Sequence, residues 1–147
     1  MGGSNGKIKK QELPDSSGRI HKAKELPDDL IRFSFRHLSS TEKFGHEKVT
    51  DAATYLPQFL RRLQSVSEMS LSSFRTNKDK ALRAHRHDWA GTSEPTGFSH
   101  LTPQLQACEA WQFEISGNEH GRVHGILIDE VFYVVWLDPG HQLYPKK

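Results

Sequence analysis

Cysteine is almost missing: Cys108 is the only one in 147 residues. That excludes an internal disulfide and a cysteine-rich metal site, and it suits a reducing cytoplasm. Long apolar runs are missing too, so no segment reads as a membrane span, and the N-terminus lacks the apolar core of a signal peptide. Charge of one sign is scarce, with 20 basic against 18 acidic side chains and a formal balance of +2. Such a balance permits a nucleic-acid partner without arguing for one. Hydrophobic residues make up only 35% of the chain, so part of it is expected to lie outside any packed core. Histidine is plentiful, at nine. These rings make the chain more positive in slightly acidic surroundings.

The most ordered pattern runs from Trp111 to Tyr144. Trp111, Phe113 and Ile115 alternate with Gln112, Glu114 and Ser116, which is the period of a strand with one buried face. Arg122 to Ile128 is a second strand-like run. Asp129-Glu130 separates it from Val131–Leu137, and two residues between such runs is hairpin spacing. The last run is apolar on both faces and reads as a buried central strand. Asp138-Pro139-Gly140 stops it, because proline cannot continue the ladder and glycine permits the turn. Trp111 and Trp136 are assigned to the core.

Upstream, residues 1–28 are rich in Gly, Ser, Pro and Lys and read as a flexible basic tail, leaving residues 29–147 as a single domain. Ile31, Phe33 and Phe35 alternate with polar residues as a first strand. Ser39-Ser40-Thr41-Glu42 carries helix-start chemistry. Leu56, Phe59, Leu60, Leu63 and Val66 recur at helical spacing, with Thr50 and Asp51 as candidate caps and Pro57 marking either a start or a kink. Met69, Leu71 and Phe74 extend the packing as a second short helix. Lys78 to Trp89 is the most basic stretch, and in an extended chain His85, His87 and Trp89 share one face. Burying both apolar faces together predicts an α+β domain. Its antiparallel sheet combines the N-terminal strand with the C-terminal three-stranded meander, packed against one or two helices.

That order of elements resembles the RelE/ParE superfamily of small bacterial toxins. The likeness is carried by Trp111-Gln112-Phe113-Glu114-Ile115, Gly121-Arg122-Val123, Phe132-Tyr133-Val134-Val135, and the closing His141 and Tyr144. Gly97-Phe98-Ser99-His100-Leu101 looks like a short segment that precedes the meander in that family. The chain differs in being longer and less basic. The resemblance implies a RelE-like fold, a cytoplasmic toxin that cleaves RNA without metal or cofactor, RNA as partner (on the ribosome in many members), and a cognate antitoxin protein.

Cleavage of this kind attacks the phosphate with the neighbouring 2′-hydroxyl. It needs a proton acceptor, a cation for the phosphorane charge and a proton donor for the leaving oxygen. Arg122 suits the cation, since its planar fork grips phosphate oxygens in pairs. His141 can exchange a proton near neutral pH. Tyr144 can donate one or stack on a base. Glu114 is the nearby carboxylate, either a base or the group that orients Arg122. Around these, His85, Arg86, His87 and His124 offer a positive wall, Trp89 a stacking ring, and Arg61 and Arg62 possible phosphate contacts. Plainer roles stand beside these: a cross-strand Arg122–Glu114 pair, a turn residue at His141, a packing anchor at Tyr144, and solvated arginines on the helix. Two other functions compete. His85-x-His87, with His100, His120, His124 or His141, has the makings of a metal hydrolase site. A non-catalytic module would bind nucleic acid or protein through the same basic face.

Overall fold

The computed structural model describes residues 29–117 and 119–145. The tail lysines and Lys146-Lys147 lie outside them. The elements are β1 (Arg32–Ser34), α1 (Ala52–Ser67), α2 (Leu71–Thr76), β2 (His85–Arg86), α3 (Pro103–Gln106), β3 (Glu109–Glu114), β4 (Arg122–Ile128) and β5 (Val131–Asp138). The strands form one five-stranded sheet in the order β1-β5-β4-β3-β2.

The α+β architecture and the C-terminal meander are as the sequence predicts. The sheet itself is mixed, not antiparallel: β1 runs parallel to β5, with Phe33 opposite Phe132. The two paired strands are joined by everything between Ser34 and Val131, far more than the dozen or so residues that a parallel pairing requires. Phe35 falls beyond the end of β1 and is 46% exposed, its ring set edge-on to Phe59. Ser39–Glu42 starts no helix. Thr41 Oγ1 instead accepts from the amides of Lys43 and Phe44 and closes a turn.

Asp51 caps α1 by accepting from the Thr54 amide, and Ser70 caps α2 through the Ser73 amide. Pro57 lies inside α1, where its missing N–H leaves the exposed Ala53 carbonyl to water. The inward stripe of α1 is Tyr55, Phe59 and Val66. Leu56 and Leu60, expected inside, are 53% and 54% exposed. The aromatic at 55 takes the core position, and the helix turns the two leucines outward.

The sheet has a core on each face. Against α1 and α2 pack Trp111, Phe113, Val123, Phe132, Val134 and Phe74. On the other face Phe44, Phe98, Ile126, Val135, Trp136 and Leu143 are covered by loops instead of long helices. Strands β3 to β5 are therefore buried on both sides. Gln112, Glu114, Arg122, His124 and Asp138 are all buried polar residues.

A β-bulge arranges this polar set. His124 pairs with Trp136 and Gly125 with Val134, so Val135 is the extra residue. Val135 and Trp136 then both face away from the long helices, and the alternation resumes with Asp138 on the His124 face. Gly125 makes room for it: a β-carbon there would lie 2.2 Å from the Tyr133 carbonyl oxygen and 2.5 Å from the Phe132 ring. Gly125→Ala is expected to cost about 1–3 kcal/mol, the usual penalty of overpacking, read as a lower urea midpoint. An unchanged midpoint would show that the strand has slack at the bulge.

Candidate active site

Two cross-strand rungs carry the polar face. His85, Gln112, His124 and Trp136 stand opposite one another across β2 to β5, and Glu114, Arg122 and Asp138 do the same across β3 to β5. Directly paired residues share a face, so these side chains meet on the side of the sheet opposite α1 and α2. The chain leaving β5 folds over the same place. The His141 amide donates to the Asp138 carbonyl, and the Asp138 carboxylate accepts from the amides of Gln142 and Leu143. His141 closes this turn with a left-handed backbone, φ 55°. Leu143 is wholly buried and pins the segment.

The result is a cleft of about 500 Å³ lined by Lys78, Lys80, Arg83, His85, Gln112, Arg122, His141 and Tyr144, with Asp79 as its one lining carboxylate. Four lining residues are permanent cations, so the cleft suits an anion. Arg122, His141 and Tyr144 are thus neighbours in space. Arg122 forms the floor, at only 4% exposure. Its Nη1 donates to Glu114 Oε1 at 2.7 Å, and Arg83 Nε stands 3.3 Å from Glu114 Oε2. Burial pulls the Arg122 guanidinium below its ordinary range while Glu114 pushes it back up, and it stays a cation. Its Nε is buried with no hydrogen-bond partner. Glu114 is 1% exposed, which suits it to orienting Arg122 and bars it from touching a substrate.

Behind Tyr144 runs a chain of four groups. Asp138 Oδ2 lies 3.0 Å from His124 Nε2, His124 Nδ1 lies 3.2 Å from His87 Nε2, and His87 Nδ1 lies 2.9 Å from the Tyr144 hydroxyl. The Asp88 amide also donates to the Tyr144 oxygen. Burial alone would raise Asp138, but its bonds from His124, Gln142 and Leu143 prevail and hold it below the usual carboxylate range. Burial drives His124 down against the pull of Asp138. His87 is pushed down to about 2 by burial and by its histidine neighbours. Burial raises Tyr144. This chain of groups therefore holds one carboxylate and two neutral imidazoles behind the tyrosine.

The other residues read from sequence divide. His85 lines the cleft, and its Nδ1 lies 2.8 Å from the Arg86 carbonyl, to which it donates. Arg86 stands opposite Trp111 on the helix-covered face, away from the cleft. His87 and His124 are bonded to each other inside the protein, and neither faces a bound strand. Trp89 stacks on His87 at 4.6 Å and packs on Phe98, so it buttresses the wall instead of offering a free ring. Arg61 is exposed on α1. Arg62 donates to the carbonyls of Ile115 and Ala81 and straps the helix to the sheet.

Comparison with protein-family models, with curated proteins and with solved structures returned no match. The functional reading therefore stands on the cleft's own chemistry. Among the described residues, no three His, Cys, Asp or Glu side chains are placed to hold a metal ion. Both nitrogens of His87 are taken, by His124 and by Tyr144. No described helix is long and apolar enough to cross a membrane. Asp138 is the residue that sequence reading passed over. Its signal is a carboxylate that ends an apolar strand just before Pro-Gly, and a glycine inside the partner strand warns of the bulge.

Proposed function

We propose that this chain is a cytoplasmic, toxin-like endoribonuclease of the RelE/ParE type, cleaving RNA by attack of a 2′-hydroxyl on the adjacent phosphate. The observation that carries this is the meeting of Arg122, His141 and Tyr144 in one cationic cleft with His85. RNA lies along Lys78, Lys80 and Arg83, which hold the backbone by charge. Arg122, aimed by Glu114, neutralises the charge that builds on the phosphorane. Tyr144 and His85 stand at the cleft wall for proton transfer, and His141 protonates the leaving 5′-oxygen. The products are a 2′,3′-cyclic phosphate and a 5′-hydroxyl. A cognate antitoxin would cover the cationic face, and the RNA is taken either free or on the ribosome.

Arg122→Lys tests this while keeping a cation beside Glu114. The lysine loses the planar fork, and the cleavage rate is expected to fall about 100-fold, in the range seen when one transition-state donor is removed. The assay is cleavage of total bacterial RNA in excess chelator, with the ends mapped, beside growth arrest on induction. Wild-type protein that binds RNA but makes no cyclic-phosphate ends would leave a binding module. Activity abolished by the chelator would favour a metal hydrolase.

A further inference from the structure

The chain of groups behind the cleft has a direction. Asp138 carries no proton, so the hydrogen between it and His124 sits on His124 Nε2. A neutral imidazole has one N–H, so His124 Nδ1 is bare and must accept from His87 Nε2. His87 is neutral in turn, so its Nδ1 is bare and must accept the Tyr144 hydroxyl hydrogen. Every donor and acceptor in the line is then satisfied, and a reversal at any one link would set two lone pairs or two hydrogens against each other. Three observations fix the ends. The Asp138 carboxylate is wholly buried and accepts two backbone amides besides His124. The Asp88 amide donates to the Tyr144 oxygen from the side. Tyr144 itself lines the cleft.

We infer that Asp138, His124 and His87 are positioning residues that hold the Tyr144 hydrogen inward, so that the Tyr144 oxygen is the proton acceptor of the cleft. The identity of the proton rests on the endoribonuclease proposal: it comes from the ribose 2′-hydroxyl. As the 2′-oxygen forms its bond to phosphorus, its hydrogen passes to the Tyr144 oxygen and the tyrosine's own hydrogen passes to His87 Nδ1. His87 hands its Nε2 hydrogen to His124 Nδ1. The positive charge comes to rest on His124, against the Asp138 carboxylate, while the 5′-oxygen leaves with a proton from His141. Return of the hydrogens along the same line releases the extra proton from the Tyr144 oxygen to water, His141 regains one from water, and the site is reset. No proton needs to reach Asp138, whose part is to pair with the imidazolium.

The first test needs no variant. In 15N-labelled full-length protein at neutral pH, two-bond proton–nitrogen correlation reads the tautomers directly. Hydrogen on Nε2 and a bare Nδ1 are expected for both His124 and His87. An Nδ1–H tautomer at His87, or an imidazolium at either ring, would overturn the inference whatever the protein does to RNA. The second test is kinetic. Tyr144→Phe is expected to lower kcat about 100-fold, as for loss of a positioned base, with KM within about twofold. His87→Phe keeps a ring against Trp89 but breaks the line. Its loss in kcat should match that of Tyr144→Phe, and the double variant should lose no more than either alone, because groups that act as one unit are not additive. Losses that multiply in the double variant, or an unchanged kcat in Tyr144→Phe, would overturn the acceptor role. Correct tautomers in a protein that cuts no RNA would uphold the fixed direction and sink the nuclease instead.

Discussion

Moving the protein from pH 7 to pH 5 is expected to remove about 2 kcal/mol of folding stability through His87 alone, since a histidine near pKa 6.5 in the unfolded chain contributes about 1.36 kcal/mol per pH unit below that value, and His124 adds a loss in the same sense. The sign follows from the direction of the shifts. Burial lowers both His87 and His124 in the folded protein. Below about pH 6.5 the unfolded chain binds two protons that the native state refuses, so acid favours unfolding. His124 is wholly buried, and His87 is part-buried between Trp89, Tyr144 and His124. Asp138 acts in the same sense at lower pH. Its folded pKa is depressed, so its contribution holds above about pH 4 and is lost as pH falls through the folded value. A loss of about 2 kcal/mol is already a sizeable share of the 5–15 kcal/mol typical of a domain. Urea titrations at several pH values give the slope, and His87→Phe should make it shallower between pH 6 and 5. A flat profile from pH 7 to pH 5 would mean that the rings already carry charge in the folded state.

Glu114→Ala is expected to cost about 3–5 kcal/mol, the range for breaking a buried ion pair by removing one partner. The carboxylate is 1% exposed and stands against Arg122, itself nearly as buried, and against the half-exposed Arg83. Removing it leaves Arg122 beside Arg83 at the floor of the cleft without its hydrogen-bonded partner and with the more distant charge of Asp138 as counter-charge, and the cost lies mainly in that weakened pairing. Glu114→Gln keeps an acceptor for Arg122 and should lose less, about 1–3 kcal/mol. A double substitution of Glu114 and Arg122 by apolar residues of similar size should recover much of the loss, because it removes the weakly paired charge as well. Denaturant unfolding measures all three. An alanine variant within 1 kcal/mol of wild type would show that water reaches the pair far more freely than its burial indicates.

The legible parts of this fold are those that a local rule governs. Trp111, Phe113 and Ile115 alternate and are all buried. Asp129-Glu130 is a two-residue turn because the strands on each side are long and matched, and Asp129 accepts φ 50° to make it. Asp51 caps the helix that follows it. The illegible parts depend on partners far away in sequence. The parallel seating of β1 is set by the edge that β5 leaves free, which no pattern near Arg32 records. Leu56 and Leu60 have helical spacing, yet Tyr55 and Phe59 take the inward face because their rings stack at 5.7 Å over the sheet. Trp89 reads as a stacking platform until the Phe98 and Trp136 rings close on it.

The cleft was half legible for the same reason. Arg122, His141 and Tyr144 lie close in sequence around one hairpin and its exit, so a local argument gathers them. The second layer is not local. His87 follows the two-residue edge strand β2, and Asp138 reaches His124 only because one extra residue, Val135, shifts the alternation of β5. Strict period-two reading puts Asp138 on the wrong face.

Asp138 also ties together two parts of the molecule that would otherwise be free to diverge. One oxygen pair anchors the backbone of the exit loop and the ring of His124 at once. The loop that presents His141 and Tyr144 is therefore not an interchangeable module. Grafting it from or into another scaffold would fail unless the buried imidazole and the strand irregularity travelled with it, so any redesign of selectivity has to treat loop, ring and bulge as one inherited block.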